Sequence, residues 1–389
     1  MTSPTATSQN QGPSPADRLA ALPLRDDLRG RSPYGAPQID VPIALNTNEN
    51  THPVPQDVQD AIVAEVAQVA AGLNRYPDRE SAVLRRELAG YLGHGLGEEN
   101  VWAANGSNEV LQQLLQAFGG PGRRVLAFVP SYSMYPLLAS GTSTEFIPGR
   151  RAEDFGLSAE SAAAQVREHR PSVVLLCSPN NPTGTALEDD VVDAVYRAGE
   201  ESNTVVVVDE AYAEFSRFPE RTALRLLEGR PRLVVSRTMS KAFALAGARI
   251  GYFAAAPEIS DAVRLVRLPY HLSAVTQATA LAALRHRGTL LADVADIRMQ
   301  RDRIVDDLKR MGLEPAESDS NFVFFGGDMD APALWQDLLD RGVLIRDVGI
   351  PGHLRVTAGT EEETTAFLDG VRAHLEAASG RERDPAPGR

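Results

Sequence analysis

The four consecutive valines Val205–Val208, followed directly by Asp209, constrain the fold of this chain more than any other feature. A run of β-branched residues without polar alternation is typical of a strand buried on both faces, as the strands of parallel sheets are. Similar strand patterns recur at Val125–Val129, Val173–Cys177, Leu233–Ser236 and Gly251–Ala255. Because helical patterns separate several of them, we predict an α/β fold with a largely parallel sheet.

Polar side chains follow two of these predicted strands. Asp209 ends the valine run, and Asn181, held in a turn by the proline after it, follows Val173–Cys177. Open α/β sheets bind ligands at the carboxyl ends of their strands. A carboxylate there can pair with the protonated nitrogen of a pyridine ring in a bound ligand. Tyr212 and the Asn181 amide could reach a phenolic oxygen on the same ligand ring. Helix capping by Asp209 and an ordinary turn at Asn181 are the alternatives.

The segment around Lys241 indicates a covalently bound ligand. Lys241 lies among apolar and small residues, with the hydroxyls of Thr238 and Ser240 before it and Arg249 after it. Desolvation and nearby cations lower the pKa of a lysine amine and make it a nucleophile toward an aldehyde. Hydroxyls and an arginine suit a phosphate. Aldehyde and phosphate together indicate pyridoxal 5′-phosphate (PLP), held on Lys241 as a Schiff base. A surface lysine in a loop is the alternative.

A further phosphate-binding feature is predicted at Gly106 and Ser107. These residues open an amphipathic run that predicts a helix, and the free backbone N–H groups at a helix start favour a phosphate. By itself the pattern is equally typical of an ordinary capped helix.

Several motifs resemble those of a known family. Asn181-Pro-Thr-Gly, Asp209-Glu-Ala-Tyr212 and Ser240-Lys241 with Arg249 are similar to motifs of the fold-type I PLP-dependent aminotransferases, class I and II. Four other segments resemble histidinol-phosphate aminotransferases: Leu45-Asn-Thr-Asn-Glu-Asn50, Asn74-Arg-Tyr-Pro-Asp78, Pro130-Ser-Tyr-Ser-Met-Tyr135 and Leu354-Arg-Val-Thr-Ala-Gly359. The resemblance extends from about Leu28 to Leu375.

The resemblance implies two domains. Residues 55–275 would form a large PLP-binding domain, whose mostly parallel, seven-stranded sheet is flanked by helices. Residues 276–378 would form a smaller α+β domain, joined by the N-terminal segment 18–54, and the active site would lie in the crevice between the domains. The polar tail 1–17 and the charged tail 379–389 are expected to be disordered.

The resemblance also assigns PLP-binding roles. Lys241 would hold PLP and act as the general base, Asp209 would pair with the ring nitrogen, and Tyr132 would stack on the ring, a core tyrosine being the alternative. Tyr76 would reach the cofactor phosphate from the neighbouring subunit, which implies a homodimer. The residues expected to hold the phosphate within the same chain are Ser107, Asn108, Thr238, Ser240 and Arg249.

Two arginines are the predicted anion-binding residues for substrate. Arg355 lies in a short apolar strand pattern, and Arg346 lies nearby in sequence, although an ordinary surface arginine is the alternative there. A guanidinium suits both the phosphate of histidinol phosphate and a carboxylate of glutamate. The resemblance adds Asn46 and Tyr34 as substrate contacts. The expected reaction is transamination between L-histidinol phosphate and 2-oxoglutarate in histidine biosynthesis.

The composition limits the classes of partner that this chain is expected to bind. With 52 acidic and 39 basic residues, the net charge of −13 argues against nucleic acid or an anionic membrane as partner. Cys177 is the only cysteine, so no internal disulfide is expected. No apolar run reaches membrane-spanning length, no signal-peptide core is recognised, and the histidines lack metal-ligand spacing. We therefore expect a cytoplasmic enzyme that acts on small molecules without a metal.

The sequence leaves two alternatives open and argues against two others. An aromatic (phenylalanine) aminotransferase shares much of the pattern, and a threonine-phosphate decarboxylase shares the fold and an arginine-rich site. A PLP-binding transcription regulator would need a basic DNA-binding domain, for which this acidic chain has no room. A cofactor-free scaffold would not explain why several strand and helix ends converge on one chemistry.

Overall fold

The computed structural model describes residues 15–31, 33 and 35–383. Its strands are β1 Ile43–Ala44, β2 Val101–Ala104, β3 Arg124–Val129, β4 Glu145–Arg150, β5 Val173–Cys177, β6 Val205–Asp209, β7 Leu233–Thr238, β8 Gly251–Ala255, β9 Glu314–Pro315, β10 Phe322–Gly326, β11 Val343–Leu344, β12 Arg346–Asp347 and β13 Leu354–Thr357. Its α-helices are α1 Pro15–Ala20, α2 Gln56–Ala70, α3 Ala82–Leu92, α4 Ser107–Phe118, α5 Met134–Gly141, α6 Ala159–His169, α7 Asp189–Ala198, α8 Pro257–Arg264, α9 Ala274–Arg285, α10 Arg287–Leu290, α11 Val294–Arg310, α12 Ala331–Asp340 and α13 Glu361–Arg383.

Strands β2 to β8 form one seven-stranded sheet in the order β2-β8-β7-β6-β5-β3-β4. Neighbouring strands are parallel except where β8 takes part, since it runs antiparallel to both β2 and β7. The predicted α/β fold with a mostly parallel sheet is therefore confirmed. The sequence patterns do not predict the edge strands β2 and β4. Strand β4 contains Pro148, which an edge strand tolerates because one side of its backbone needs no partner.

The valine run of β6 is buried on both faces of the sheet. Val206 and Val208 belong to a core that includes residues of α3, α6 and α7, whereas Val205 and Val207 belong to a second core with residues of α4, α5 and α8. Fully burying such a side chain contributes roughly 1.5–3 kcal/mol. Because helices cover both faces, the polar segments after the strands can gather ligands only along the edge of the sheet.

A second, antiparallel sheet follows the large one in sequence. Its strand order is β12-β13-β10-β9, and α13 packs on it through Phe367, whose ring lies 6.0 Å from that of Phe325. Strand β1 pairs in parallel with β11, so Ile43 and Ala44 join this C-terminal part. The described residues from Ile39 onward form one compact unit. The domain boundaries after residues 54 and 275 stay a prediction.

The described residues up to Gln38 form a separate unit. Its described part contains α1 and a 3₁₀ turn at Asp26–Leu28, beside which Arg25 pairs with Asp27 at 2.9 Å. The predicted tails lie mostly outside the described residues, and their described parts belong to α1 and α13. Within the residues described, no helix combines the length and apolar character needed to cross a membrane, and no three His, Cys, Asp or Glu side chains are arranged to bind a metal.

Candidate active site

The carboxyl ends of three parallel strands meet at Asp209. This residue pairs across the sheet with Cys177 at the end of β5 and with Ser236 in β7. The segments that follow these three positions carry predicted site residues, namely Asn181, Tyr212 and Lys241. The parallel topology therefore brings together side chains that are far apart in the sequence.

Asp209 is only 2% exposed, and its two carboxylate oxygens differ in their surroundings. Oδ2 accepts a hydrogen bond from the hydroxyl of Tyr135 in α5 at 2.9 Å, whereas Oδ1 has no hydrogen-bond partner of acceptable geometry among the described residues. Burial raises the pKa of Asp209 to about 6, and the Tyr135 hydroxyl and the Ala211 amide limit the rise. At neutral pH the carboxylate is therefore mostly ionised, with one oxygen available to a cationic ligand.

Asn181 connects Tyr212 to Arg355. Its Nδ2 donates to the Tyr212 hydroxyl at 3.3 Å, and its Oδ1 accepts from Nη1 of Arg355 at 2.6 Å. Nη2 of Arg355 donates to the backbone oxygen of Asn46 at 2.9 Å. Burial raises the pKa of Tyr212 to about 12. Because the side-chain amides of Asn181 and Asn48 both donate to its oxygen, the protonated phenol keeps its own hydrogen to donate.

Lys241 is placed to act as a nucleophile. Its Nζ donates to the backbone oxygen of Thr47 at 3.0 Å and lies 6.0 Å from the centre of the Tyr212 ring. Burial, together with the cations Arg355 and Arg249, lowers the pKa of Lys241 to about 8. A substantial fraction of the amine is therefore neutral near physiological pH, as attack on an aldehyde requires.

The reaction of Lys241 with PLP should accelerate as pH rises through about 8, because only the neutral amine attacks. Stopped-flow absorbance of the apoprotein mixed with PLP, from pH 6.5 to about 9.5, measures the midpoint. Arg355→Ala removes a neighbouring cation and should shift the midpoint upward, whereas Arg355→Lys keeps the charge and should shift it less. A wild-type midpoint near 10.5, the ordinary lysine value, would contradict the buried setting.

The start of α4 lies against β8 and Arg249. A side chain at Gly251 would collide with the backbone of Gly106 and Ser107, so only glycine allows this approach. Gly106 itself has φ +82°, and a Cβ there would stand 2.5 Å from Nη2 of Arg249. The guanidinium therefore lies beside the first turn of the helix, whose free N–H groups and dipole favour an anion.

Two hydroxyls lie beside the same guanidinium. The Ser240 hydroxyl is 3.5 Å from Nη1 of Arg249 and 3.0 Å from the Thr238 hydroxyl. Four of the five residues predicted to hold a phosphate, Ser107 among them, are thus gathered around Gly106. Backbone amides, hydroxyls and a guanidinium form the donor set that a phosphate requires.

Tyr132 contacts both the start of α4 and Tyr135, the residue that holds Asp209. The Tyr132 hydroxyl donates to Oδ1 of Asn108, the second residue of α4, at 3.2 Å. The Tyr132 ring also meets the ring of Tyr135 edge to face, with centres 5.5 Å apart. Tyr132 therefore contacts Asn108 through its hydroxyl and Tyr135 through its ring. Its side chain is only half-buried, which leaves part of the ring accessible to a planar ligand.

The two predicted substrate arginines are direct cross-strand neighbours. Arg346 of β12 stands opposite Arg355 of β13 in the antiparallel pair. Like charges in this position destabilise a sheet unless something neutralises them. The pair therefore has the charge and the geometry to bind an anion, next to the Asn181 contact that leads to Tyr212.

Tyr76 lies at the surface beside Tyr270, and Tyr34 is not among the described residues. The Tyr76 side chain is 80% exposed and stacks on Tyr270, with ring centres 4.4 Å apart. Such exposure leaves it accessible to a second subunit.

Sequence reasoning assigned no role to Asn48 and Tyr135, although both lie in motifs that it singled out. Asn48 has φ +56°, a conformation that asparagine tolerates, and is 1% exposed. Its backbone N–H donates to the Thr357 hydroxyl at 3.0 Å, and its side chain donates to the Tyr212 hydroxyl at 3.1 Å. Asn48 therefore orients Tyr212, as Tyr135 holds Asp209.

Comparisons with known proteins agree with this geometry. The sequence profile of the family described as aminotransferase class I and II matches residues 40–371. Histidinol-phosphate aminotransferase of Paenarthrobacter aurescens (strain TC1) is 71% identical over 92% of this chain and 97% of its own. That of Thermobifida fusca (strain YX) is 58% identical over 90% of this chain and 95% of its own. The crystal structure of histidinol-phosphate aminotransferase from Sinorhizobium meliloti in complex with pyridoxal 5′-phosphate superposes with a TM-score of 0.82, at 25% identity, over 92% of this chain and 100% of its own.

Proposed function

This chain belongs to the class I and II aminotransferase family, and from its site we propose that it transfers the amino group between L-histidinol phosphate and 2-oxoglutarate with PLP as cofactor. The observation that supports this choice of substrate is the cross-strand pair of Arg346 and Arg355. Two arginines in one cross-strand pair suit a dianionic phosphate better than a single carboxylate. The high identity to relatives named histidinol-phosphate aminotransferase supports the same substrate.

The residues present fit PLP at each end of the cofactor. The unpartnered Oδ1 of buried Asp209 suits a protonated ring nitrogen, and the glycine-lined start of α4 beside Arg249 suits the phosphate. Lys241, with its lowered pKa, suits the aldehyde carbon. When bound, PLP supplies an aldehyde for amines and a ring that withdraws electrons from the substrate Cα.

The chain's own groups then have separate tasks. The Lys241 Nζ takes the proton from the substrate Cα and would deliver it to the carbon that carried the cofactor aldehyde, which its pKa near 8 permits at physiological pH. The Tyr212 hydroxyl and the Asn181 amide donate to the phenolic oxygen and hold the ring in place. Asn46 and Arg355 contribute to the substrate pocket, where Arg355 serves the histidinol phosphate and glutamate half-reactions in turn. Tyr34 stays a candidate by resemblance alone.

A substrate comparison tests this proposal. The protein reconstituted with PLP is assayed with histidinol phosphate, histidinol and phenylalanine, each against 2-oxoglutarate, and with threonine phosphate for released carbon dioxide. We expect histidinol phosphate to exceed histidinol and phenylalanine in kcat/KM by at least one to two orders of magnitude, since hydrogen bonds to charged groups contribute about 1.5–3 kcal/mol each. Equal values for phenylalanine would favour an aromatic aminotransferase, and carbon dioxide from threonine phosphate would favour the decarboxylase.

Replacing Asp209 with asparagine should leave cofactor binding possible but slow Cα proton transfer. The substitution keeps the shape and removes the charge that pairs with the ring nitrogen, at a cost of about 10–100-fold in single-turnover rate. Rapid-mixing absorbance with histidinol phosphate measures that rate. Asp193→Asn is a matched control, because Asp193 pairs with Arg230 away from the site. Wild-type rates in the Asp209 variant would exclude it as the pyridine partner.

We further propose that the enzyme is a cytoplasmic homodimer in which Tyr76 reaches the cofactor phosphate of the partner subunit. The support is the exposure of Tyr76 together with the family resemblance of its segment. A cytoplasmic location follows from the biosynthetic role, and cell fractionation would test it.

A mixed dimer tests the role of Tyr76. One subunit carries Lys241→Ala and the other carries Tyr76→Phe. If Tyr76 acts across the interface, one site holds both substitutions and the other holds neither, so half of the sites should show wild-type PLP affinity. If Tyr76 acts within its own chain, the lysine-containing sites should keep the weakened affinity of the Tyr76→Phe homodimer. Equilibrium dialysis at several PLP concentrations distinguishes the two results.

A further inference from the structure

The hydrogen bond between Tyr135 and Asp209 links two elements that are remote in sequence. Asp209 ends the central strand β6, and Tyr135 lies in the first turn of α5, with its side chain fully buried. The donor–acceptor distance of 2.9 Å to Oδ2 is ordinary for a strong bond to a carboxylate. The other oxygen, Oδ1, is buried without a hydrogen-bond partner of acceptable geometry among the described residues.

Among the described residues, Arg151 is a cation within electrostatic reach of Tyr135, and few other charges lie near the Asp209 carboxylate. Cys177 and Tyr212 lie close enough to affect it, but burial raises the pKa of each to about 12, so both are neutral. Glu210 is a like charge that raises the pKa of Asp209, although it is paired with Arg237 at 2.7 Å. The Ser236 hydroxyl on β7 stands across the sheet from Asp209 and has no partner of its own in the described part of the chain.

The proton of this bond belongs to the phenol. Burial and the neighbouring Asp209 raise the pKa of Tyr135 well above its ordinary value, so the hydroxyl remains a donor throughout the working pH range. A donor stabilises the ionised form of a buried acid, which burial alone would neutralise. The bond also fixes the carboxylate orientation, because its Oδ2 end is tied to α5.

We propose that Tyr135 is a positioning residue, which keeps Asp209 ionised by holding Oδ2 and thereby reserves Oδ1 for the cationic nitrogen of the cofactor ring. The inference rests on the proposed function for the identity of that ring. The state of Asp209 before the cofactor binds, however, depends only on this chain.

The first experiment therefore uses the apoprotein. With ¹³C-labelled aspartate carboxyl groups, NMR follows the Asp209 signal, assigned by its loss in Asp209→Asn, between pH 4.5 and about 9. The wild-type midpoint is expected near 6, and Tyr135→Phe should raise it by about 1 to 2 units. Tyr252→Phe is the matched control, because it removes from β8 a buried hydroxyl that has no hydrogen-bond partner among the described residues, and it should leave the midpoint unchanged.

An Asp209 midpoint in Tyr135→Phe within about 0.3 units of wild type would overturn the proposal. Should that variant fail to fold, the wild type alone supplies the test. The Cζ signal of ring-labelled Tyr135 should titrate with the same midpoint as the Asp209 carboxyl, and a Tyr135 signal insensitive to that titration would equally overturn it.

A second readout connects the bond to the cofactor. Equilibrium dialysis of PLP with Tyr135→Phe should show an affinity loss of up to about tenfold at pH 7 that shrinks as pH rises through the variant's Asp209 midpoint, since more of the carboxylate is then already ionised. A loss independent of pH would contradict the ionisation role. Failure of the protein to bind PLP at all would count against the proposed function, whereas the apoprotein titration would still decide the role of Tyr135.

Discussion

Lys241→Ala is expected to abolish transamination while leaving the fold intact. The side chain is placed both to bind PLP covalently and to move the Cα proton, and loss of a positioned general base alone costs about 10²–10⁴-fold. Its one described hydrogen bond, to the Thr47 backbone oxygen, is a small loss for the folded state. The melting temperature should therefore stay close to wild type, and the variant should still bind PLP through the anion site at α4.

The small number of lysines in this chain makes it possible to identify the residue that binds PLP covalently. Of its 39 basic residues only two, Lys241 and Lys309, are lysines. Borohydride reduction of the PLP-loaded protein followed by mass spectrometry should place the cofactor on the peptide that contains Lys241. Lys309→Arg is the control, because Lys309 is half-exposed and pairs with Glu317. Cofactor fixed to the Lys241→Ala variant, or a retained visible absorbance of lysine-bound PLP, would refute the assignment.

Arg355→Ala is expected to lower kcat/KM in both half-reactions, by at least one to two orders of magnitude. Histidinol phosphate and glutamate would use the same anion site in turn, and a bidentate contact to a charged group contributes about 1.5–3 kcal/mol per hydrogen bond. The substitution also frees Asn181, to which Nη1 donates. Arg346→Ala should affect histidinol phosphate more than glutamate, because the larger anion reaches across the strand pair.

Steady-state kinetics with each amino donor measures both variants. Arg341→Ala is a suitable control, since Arg341 is an exposed arginine that pairs with Asp337 at the end of α12. PLP affinity and melting temperature of each variant separate a substrate effect from a loss of structure. Unchanged histidinol phosphate kinetics in Arg355→Ala would exclude the arginine pair as the phosphate site.

Local patterns in the sequence were sufficient to predict the five inner strands of the large sheet and the kind of chemistry at their carboxyl ends. The valine run of β6 required helices on both faces, and Val205 and Val206 indeed face opposite cores. A polar residue directly after such a strand, as at Asp209, must lie at the ligand-binding edge. The environment of Lys241 could also be predicted from the sequence, because its apolar neighbours and the arginine that follows lie within a few residues of it.

The edge strands of the large sheet were not predictable in the same way. Strand β2 has four residues, all buried, and β4 carries a proline and a glycine. Their hydrogen bonds come from β8 and β3, so they become strands only when the sheet is assembled. Neither carries enough local pattern to be distinguished from a loop.

Only the tertiary structure decided which polar groups become partners. Tyr135 and Asp209 are 74 residues apart, Asn48 and Tyr212 are 164 apart, and Arg355 and Asn181 are 174 apart. The facing of Arg346 and Arg355 depends on the register between β12 and β13, in which a shift of one residue would turn a side chain to the other face. The sequence by itself determined the kinds of groups at each strand end and the cofactor chemistry they suit. Strand order and register chose the contacts among them, because those depend on packing between distant segments and leave no local trace.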